Sequence, residues 1–330
     1  GLFQGAYNEG KVLDLYADFP AEHIVKRDKD GNWCKWNGSA YESLIDGLLS
    51  LVYCLAEGPD GKIYAGGKFR DAGGFGGADQ LARWNPATEA WELVISGITS
   101  TRYNRTAVKC MAFDANGDLY IGGYFDSAAG VANTVHIAKI TNLNGTPTAV
   151  ALGTGLDQDC NALAIDSNGN VYVGGGFTSA GGIANTAHIA KWNGTSWSSL
   201  SSGLNNTVEA LAFAPNGDLY VGGDFTDAFY PYICKWNGTA FSSVGVAGDI
   251  NNVVYSLAFG ATGYLYIGGS FTNVGGVANA DYIAKWNGSQ WEALGTGVGG
   301  TVRSIKVALN KIYVAGAFTS AGGQTLTDRV

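Results

Sequence analysis

The sequence predicts an all-β protein, a six-bladed β-propeller with four antiparallel strands per blade. Three observations carry this. An aromatic strand ending in Gly-Gly recurs along the chain, Asn-Gly and Asp-Gly turns punctuate it, and no segment holds ten residues of helical periodicity. Asn-Gly and Asp-Gly between apolar runs are the strongest short-range hairpin signal.

Each unit divides into strands A to D. Strand A is VYCLAE, VKCMAF, CNALAI, VEALAF, VYSLAF or VRSIKV. Strand B reads IYAGG, LYIGG, VYVGG, LYVGG, LYIGG and, in the last copy, IYVAG. Its second glycine falls at 67, 123, 175, 223 and 269, so successive spacings are 56, 52, 48 and 46 residues, the size of a propeller blade. Strand C is LARWN, IAKIT, IAKWN, ICKWN or IAKWN, and strand D is a short segment such as SWSSL or QWEAL. Complete blades fall at about 51–98, 107–155, 160–204, 208–245 and 253–298. The sixth is expected to be shared between the termini: strands A and B from 302–323, strands C and D from 32–47, since Cys34–Gly38 repeats Cys234–Gly238 residue for residue. Such sharing removes an exposed edge. Residues 1–31 form an extension, in which 23–27 and the Lys-Asp-Gly turn before Trp33 can add a further hairpin.

Eight of nine tryptophans recur once per blade, at the Lys-Trp-Asn position or on strand D. They are expected to be scaffold, with the strand B glycine pair leaving room for the rings. The second blade departs, with Ile140 for tryptophan and no second ring.

Composition narrows the function. Fifty glycines without a three-residue period exclude collagen, and 40 aromatic residues supply ample apolar surface against disorder. A net charge of −8, with 20 thinly spread basic residues, argues against nucleic acid as a partner. No apolar run is long enough for a membrane span. The chain opens on Gly1 and is read as a processed product or a fragment. Five cysteines lack metal-type spacing. Cys54 and Cys110 share a position with Ala162, Ala210, Ser256 and Ser304, and Cys34 and Cys234 one with Ala82, Ala138, Ala190 and Ala284, so they stand in for small buried residues.

Catalytic signatures are missing: no GxSxG elbow, HExxH pair or P-loop is present. His136 and His188 share one repeat position, where other blades have Gln80, Tyr232 or Tyr282, and His23 has no visible partner. Asp114, Asp118, Asp166 and Asp218 flank hairpin turns, where local hydrogen bonding favours aspartate. The same turn chemistry accounts for the Asn-Gly-Ser/Thr triplets at Asn37, Asn144, Asn193, Asn237 and Asn287. No catalytic residue, metal or cofactor is expected.

The repeat, with its LYVGGxFTxAGG and IAKWNGxxW segments, resembles those of large secreted bacterial proteins and phage tail proteins. It is also similar to the propeller repeats of the fungal cortical cell-polarity marker family, related to Kelch and galactose-oxidase propellers. The resemblance covers about residues 31–330 and implies the propeller; the copper site of galactose oxidase has no counterpart here.

In an up-and-down blade the A–B and C–D turns lie on one face, and the B–C and D–A connections on the other. The first set is uniformly tight and the second long and varied, so recognition is expected on the second. Two loops break the repeat there. Thr99–Thr106 inserts Arg102, Tyr103 and Arg105, and the shortened fourth B–C loop places Phe229, Tyr230 and Tyr232 where other blades have Gly and Ala. Arg and Tyr are favoured in binding hot spots. Set against this, the arginines can pair with nearby acids and the rings can fill space left by a shorter loop.

The sequence therefore predicts a non-enzymatic recognition or display module outside the cell, at a cell surface or on a virion. It would bind a surface glycan or a protein receptor. The alternatives are a structural propeller of a phage tail or extracellular assembly, packed on neighbouring subunits, and a propeller hydrolase or lyase.

Overall fold

The structure, a computed structural model, describes residues 25–27, 33–36, 41–43, 48, 50–74, 76–101, 106–227, 230–308, 311–322 and 324–325. Every named element among them is a β-strand apart from one 3-10 turn at Ala72–Gly74. First come β1 (Val25–Arg27), β2 (Trp33–Trp36) and β3 (Tyr41–Ser43), in a sheet of that order. Five four-stranded antiparallel sheets follow. Blade one is β4 (Val52–Glu57), β5 (Ile63–Gly67), β6 (Leu81–Asn85) and β7 (Ala90–Leu93). Blade two is β8 (Ala107–Phe113), β9 (Leu119–Tyr124), β10 (Ile137–Thr141) and β11 (Thr148–Val150). Blade three is β12 (Cys160–Ile165), β13 (Val171–Gly175), β14 (Ile189–Trp192) and β15 (Trp197–Ser199). Blade four is β16 (Val208–Phe213), β17 (Leu219–Gly223), β18 (Ile233–Trp236) and β19 (Phe241–Ser243). Blade five is β20 (Val254–Phe259), β21 (Leu265–Gly269), β22 (Ile283–Trp286) and β23 (Trp291–Glu292). A long hairpin, β24 (Val298–Ala308) and β25 (Lys311–Ala321), ends with β26 (Gln324–Thr325).

The A strands are innermost: β4, β8, β12, β16, β20 and β24 pack one against the next, and each blade's B strand packs on the following A strand. Rings mark these joints. Tyr64 meets Phe113 edge-on at 5.0 Å, Tyr172 meets Phe213 at 5.3 Å, and Tyr220 meets Phe259 at 5.1 Å. Just past each B strand, Phe69, Phe125, Phe177, Phe225 and Phe271 are fully buried. Burying one such ring is worth roughly 1.5–3 kcal/mol.

The glycine pair has a different purpose from the one the sequence suggests. A Cβ on Gly174 would strike Val208 of the next inner strand, and one on Gly175 would strike the backbone carbonyl of Asp159. The pair lets two inner strands approach the B strand. The indoles meet glycines elsewhere, in the B–C loops: Trp91 packs on Gly73 and Trp197 on Gly181.

β2 and β25, which the shared blade would set side by side, are paired with other strands. β2 pairs with β1 on one side and β3 on the other, whereas β25 pairs with β24 and, at Ser320 and Ala321 alone, with β26. Nor does packing like that between successive inner strands return from β24 to β4. The physical reason is proximity. β1 and β2 are close neighbours in the chain, and closing a short loop costs less entropy than closing one that spans the whole repeat. The antiparallel pairing of β1 with β2 is the one that a further hairpin before Trp33 calls for.

Candidate functional site

Every inner strand carries a β-bulge at the same register, between Val52 and Cys54, Val108 and Cys110, Cys160 and Ala162, Val208 and Ala210, Val254 and Ser256, and Val302 and Ser304. A bulge leaves one residue unpaired and re-aims its side chain, which is why bulges gather beside functional sites. The six bulged residues are Tyr53, Lys109, Asn161, Glu209, Tyr255 and Arg303. The positions on either side are small or branched buried residues in every blade, while the bulge is polar or phenolic throughout and only partly buried.

Five of these side chains meet across the blades, in two groups. Lys109 Nζ donates to Asp159 Oδ2 at 2.6 Å and to Asn161 Oδ1 at 2.9 Å, and Asn161 Nδ2 donates to Glu209 Oε2 at 3.2 Å. On the other side the Arg303 guanidinium lies over the Tyr255 ring, 4.1 Å from its centroid. Burial raises the Glu209 pKa; Lys109 and Arg303 pull it down, and Asp224 and Asp159 push it up. Groups on or beside β8, β12, β17 and β24 therefore act on one carboxyl, so these side chains face a common region. Asp159 and Asp224 precede strand A and follow strand B respectively, which places the cluster toward the B–C and D–A loop side. It offers two cations, three carboxylates, an amide and phenolic rings: donors and acceptors for a polar ligand.

Of the residues singled out from the sequence, Arg102, Tyr103, Arg105 and Phe229 lie outside the described residues. Tyr230 packs against Phe241, ring centroids 5.9 Å apart, and borders a shallow recess with Pro231, Val246 and Asp249 that has room for no more than about one water. Tyr232 sits at φ 64°, in register with Gln80, His136, His188 and Tyr282, all between 61° and 63°. Its N–H donates to the Phe225 carbonyl at 2.7 Å, and its own carbonyl accepts from Gly223 N–H at 3.0 Å. All five residues make this pair of bonds, which pins the B–C loop to the end of strand B. His136 and His188 add a ring contact, Nδ1 to the Gly123 carbonyl at 3.1 Å and to the Gly175 carbonyl at 3.2 Å; a carbonyl only accepts, so Nδ1 holds the proton.

The remaining motifs are likewise local. Asp114 Oδ1 accepts from the N–H groups of Asn116 and Asp118, and Asn193 Oδ1 from those of Thr195 and Ser196. Cys54, Cys110, Cys160 and Cys234 are buried free thiols, with Cys110 and Cys160 Sγ atoms 3.7 Å apart; burial raises the Cys54, Cys110 and Cys234 thiol pKa values. Among the described residues no three His, Cys, Asp or Glu side chains gather as a metal site, and no helix is long and apolar enough to cross a membrane.

The family described as Beta-propeller repeat matches residues 152–175. No curated protein matches. Among solved structures, the extracellular domain of a hybrid two-component system protein from B. thetaiotaomicron is 13% identical with a TM-score of 0.59, over 93% of this chain and 38% of that one. The chain thus spans well under half the length of that relative. The computationally designed Ika8 protein is 18% identical with a TM-score of 0.52, over 90% of this chain and 91% of its own. Virginiamycin B lyase from Staphylococcus aureus is 12% identical with a TM-score of 0.48, over 90% and 85%. The chain holds a β-propeller repeat, and its successive four-stranded antiparallel sheets are those of a propeller-like fold.

Proposed function

We propose that the chain is a six-bladed propeller, its last blade completed by β2 and β3, and that it acts as a non-enzymatic recognition module. It binds a surface glycan or a protein receptor on the B–C and D–A loop face, outside the cell, at a cell surface or on a virion. One observation carries this reading: a scaffold that repeats nearly everything varies its side chain at a single inner register, and five of those side chains meet there in two groups, Lys109 with Asn161 and Glu209, and Arg303 with Tyr255. A pure spacer gains nothing from such variation, whereas a binding site needs it.

A second reading, a structural propeller packed on neighbouring subunits of a phage tail or extracellular assembly, draws on the loop tips. Val131, Ile183 and Val277 hold equivalent turns there; Ile183 is 44% exposed, while Val131 and Val277 are half-buried against the core. Repeated apolar tips suit a flat protein contact better than a sugar.

The test is a glycan array probed with the purified chain, with Lys109→Ala and Arg303→Ala beside the triple replacement of Arg102, Tyr103 and Arg105 by Ala. Binding lost with the first pair puts the site at the ring; binding lost with the triple variant puts it at the D–A loop. A blank array, with self-association in sedimentation, favours the structural reading.

A further inference from the structure

Three residues of β1 occupy the edge that a closed sixth blade would need. β1 pairs with β2 as Val25↔Lys35, Lys26↔Cys34 and Arg27↔Trp33. In blade four the same strand C sequence meets strand B as Tyr220↔Lys235, Val221↔Cys234 and Gly222↔Ile233. On the A side, Ile305↔Val314 and Ser304↔Ala315 match Leu211↔Val221 and Ala210↔Gly222. Carried over, the blade-four register sets Tyr313 against Lys35, Val314 against Cys34 and Ala315 against Trp33. Those are the three β2 residues that β1 holds. Because β2 also pairs with β3 on its other side, it has no third edge.

β25 shows the converse. No strand among the described residues lies along its outer edge from Lys311 to Thr319. The five residues of β13 are all buried, whereas along β25 Ile312 and Tyr313 are half-buried and Ala317 is exposed. In blades two and three a lysine of strand C sits over the strand B tyrosine, Lys139 over Tyr120 at 5.1 Å and Lys191 over Tyr172 at 5.5 Å. Lys35 and Tyr313 would supply that pair.

We propose that the outer edge of β25 is a strand-docking surface whose occupant is β2, and that β1 is the competing strand that keeps it empty. This rests on the closed-ring reading above. Proximity favours β1; burial of the β25 surface and the lysine–tyrosine contact favour β25. Blade closure is then a strand exchange, controlled by the segment that precedes Trp33.

The experiment uses the full chain carrying Lys35→Cys and Tyr313→Cys, oxidised with a small disulfide, with the crosslinked fraction read by peptide mapping. It is run with and without Lys26→Pro, which removes a backbone donor from β1. The expected result is a several-fold rise in intramolecular crosslink with Lys26→Pro, together with slower amide exchange along 311–319. Equal, high crosslinking in both backgrounds overturns the competition while leaving the closed ring standing. No crosslink in either overturns the closed ring itself and the proposal with it. Disulfide-linked dimers overturn the intramolecular form and put β2 of a second copy on the edge.

Discussion

The indole of Trp197 rests on Gly181, so closely that a Cβ at Gly181 would overlap its Cδ1 atom, and Gly181 itself has φ +60°. Gly73 with Trp91 and Gly275 with Trp291 repeat the relationship. Blade two breaks both halves together: Ala129, at φ 53°, takes the glycine position, and Ala149, facing Ile140, takes the indole position. The glycine is needed where the ring is. Gly181→Ala is therefore expected to cost about 1–3 kcal/mol through overpacking and an unfavourable backbone. Ala129→Gly should change stability by less than about 1 kcal/mol, because there is no ring to accommodate. Urea midpoints of the two variants check this, and equal losses would refute the pairing.

Tyr232 separates the backbone demand of its loop from any work done by its ring. At φ 64° it holds a conformation that costs an ordinary side chain about 1 kcal/mol or more. Tyr232→Gly keeps both loop-pinning bonds and relieves that cost, so stability should stay within about 1 kcal/mol of the parent. Tyr232→Val, β-branched, should lose roughly 1–2 kcal/mol more than the glycine variant. If Tyr232→Gly folds as well as the parent and a bound glycan is lost, the phenol is a contact; retained binding leaves Tyr232 a loop pin.

The strand C to D turns make a similar distinction for the Asn-Gly-Thr triplets. Asn193 Oδ1 takes hydrogen bonds from two backbone N–H groups, at 2.9 and 2.8 Å, and from the Thr195 hydroxyl at 2.9 Å. Asn193→Ala should therefore cost about 1 kcal/mol even in protein that carries no sugar, much as loss of a helix cap does. Thermal unfolding of bacterially expressed protein is the measurement, and an unchanged midpoint would remove the turn explanation.

Strand content and blade order were legible because both follow from local signals: Asn116-Gly117, Asn168-Gly169 and Asn216-Gly217 fix hairpins, and the Tyr-x-Gly-Gly period counts blades. The glycine pair was misread because its neighbours are distant in sequence. Val208 and the Asp159 carbonyl crowd Gly174 and Gly175 through tertiary approach that no window of the chain displays. The bulge ring was missed for a subtler reason. Its signal was present, since Tyr53, Lys109, Asn161, Glu209, Tyr255 and Arg303 align as the variable residue of strand A. A simple alternating strand would turn that position aside, and the bulge is what re-aims it. The destination of β2 was illegible because two partners, β1 and β25, satisfy the same three residues.

Glu209 ties that ring to a measurable pH dependence. Its carboxyl is raised by burial first, with Lys109 and Arg303 opposing and Asp224 and Asp159 reinforcing. A group whose folded pKa exceeds its unfolded one binds its proton more tightly in the native state, so its stabilising contribution is complete below the ordinary glutamate value and fades as pH rises through the raised value. At neutral pH Glu209 is thus a burden that Glu209→Gln should lift, while Asn161 keeps an oxygen to donate to. The variant should be more stable than the parent at neutral pH, and its advantage should shrink toward acid. Other carboxylates run the opposite way: Glu92, held at about 2 by hydrogen bonds from Lys62, Asn85 and Arg83 despite its burial, loses stability as pH falls. The test therefore compares variant with parent at each pH rather than reading either curve alone. A difference that is flat from acid to neutral would show that Glu209 has no raised affinity for its proton. A difference that grows toward acid would reverse the sign, and would mean that Lys109 and Arg303 outweigh burial at the centre of the ring.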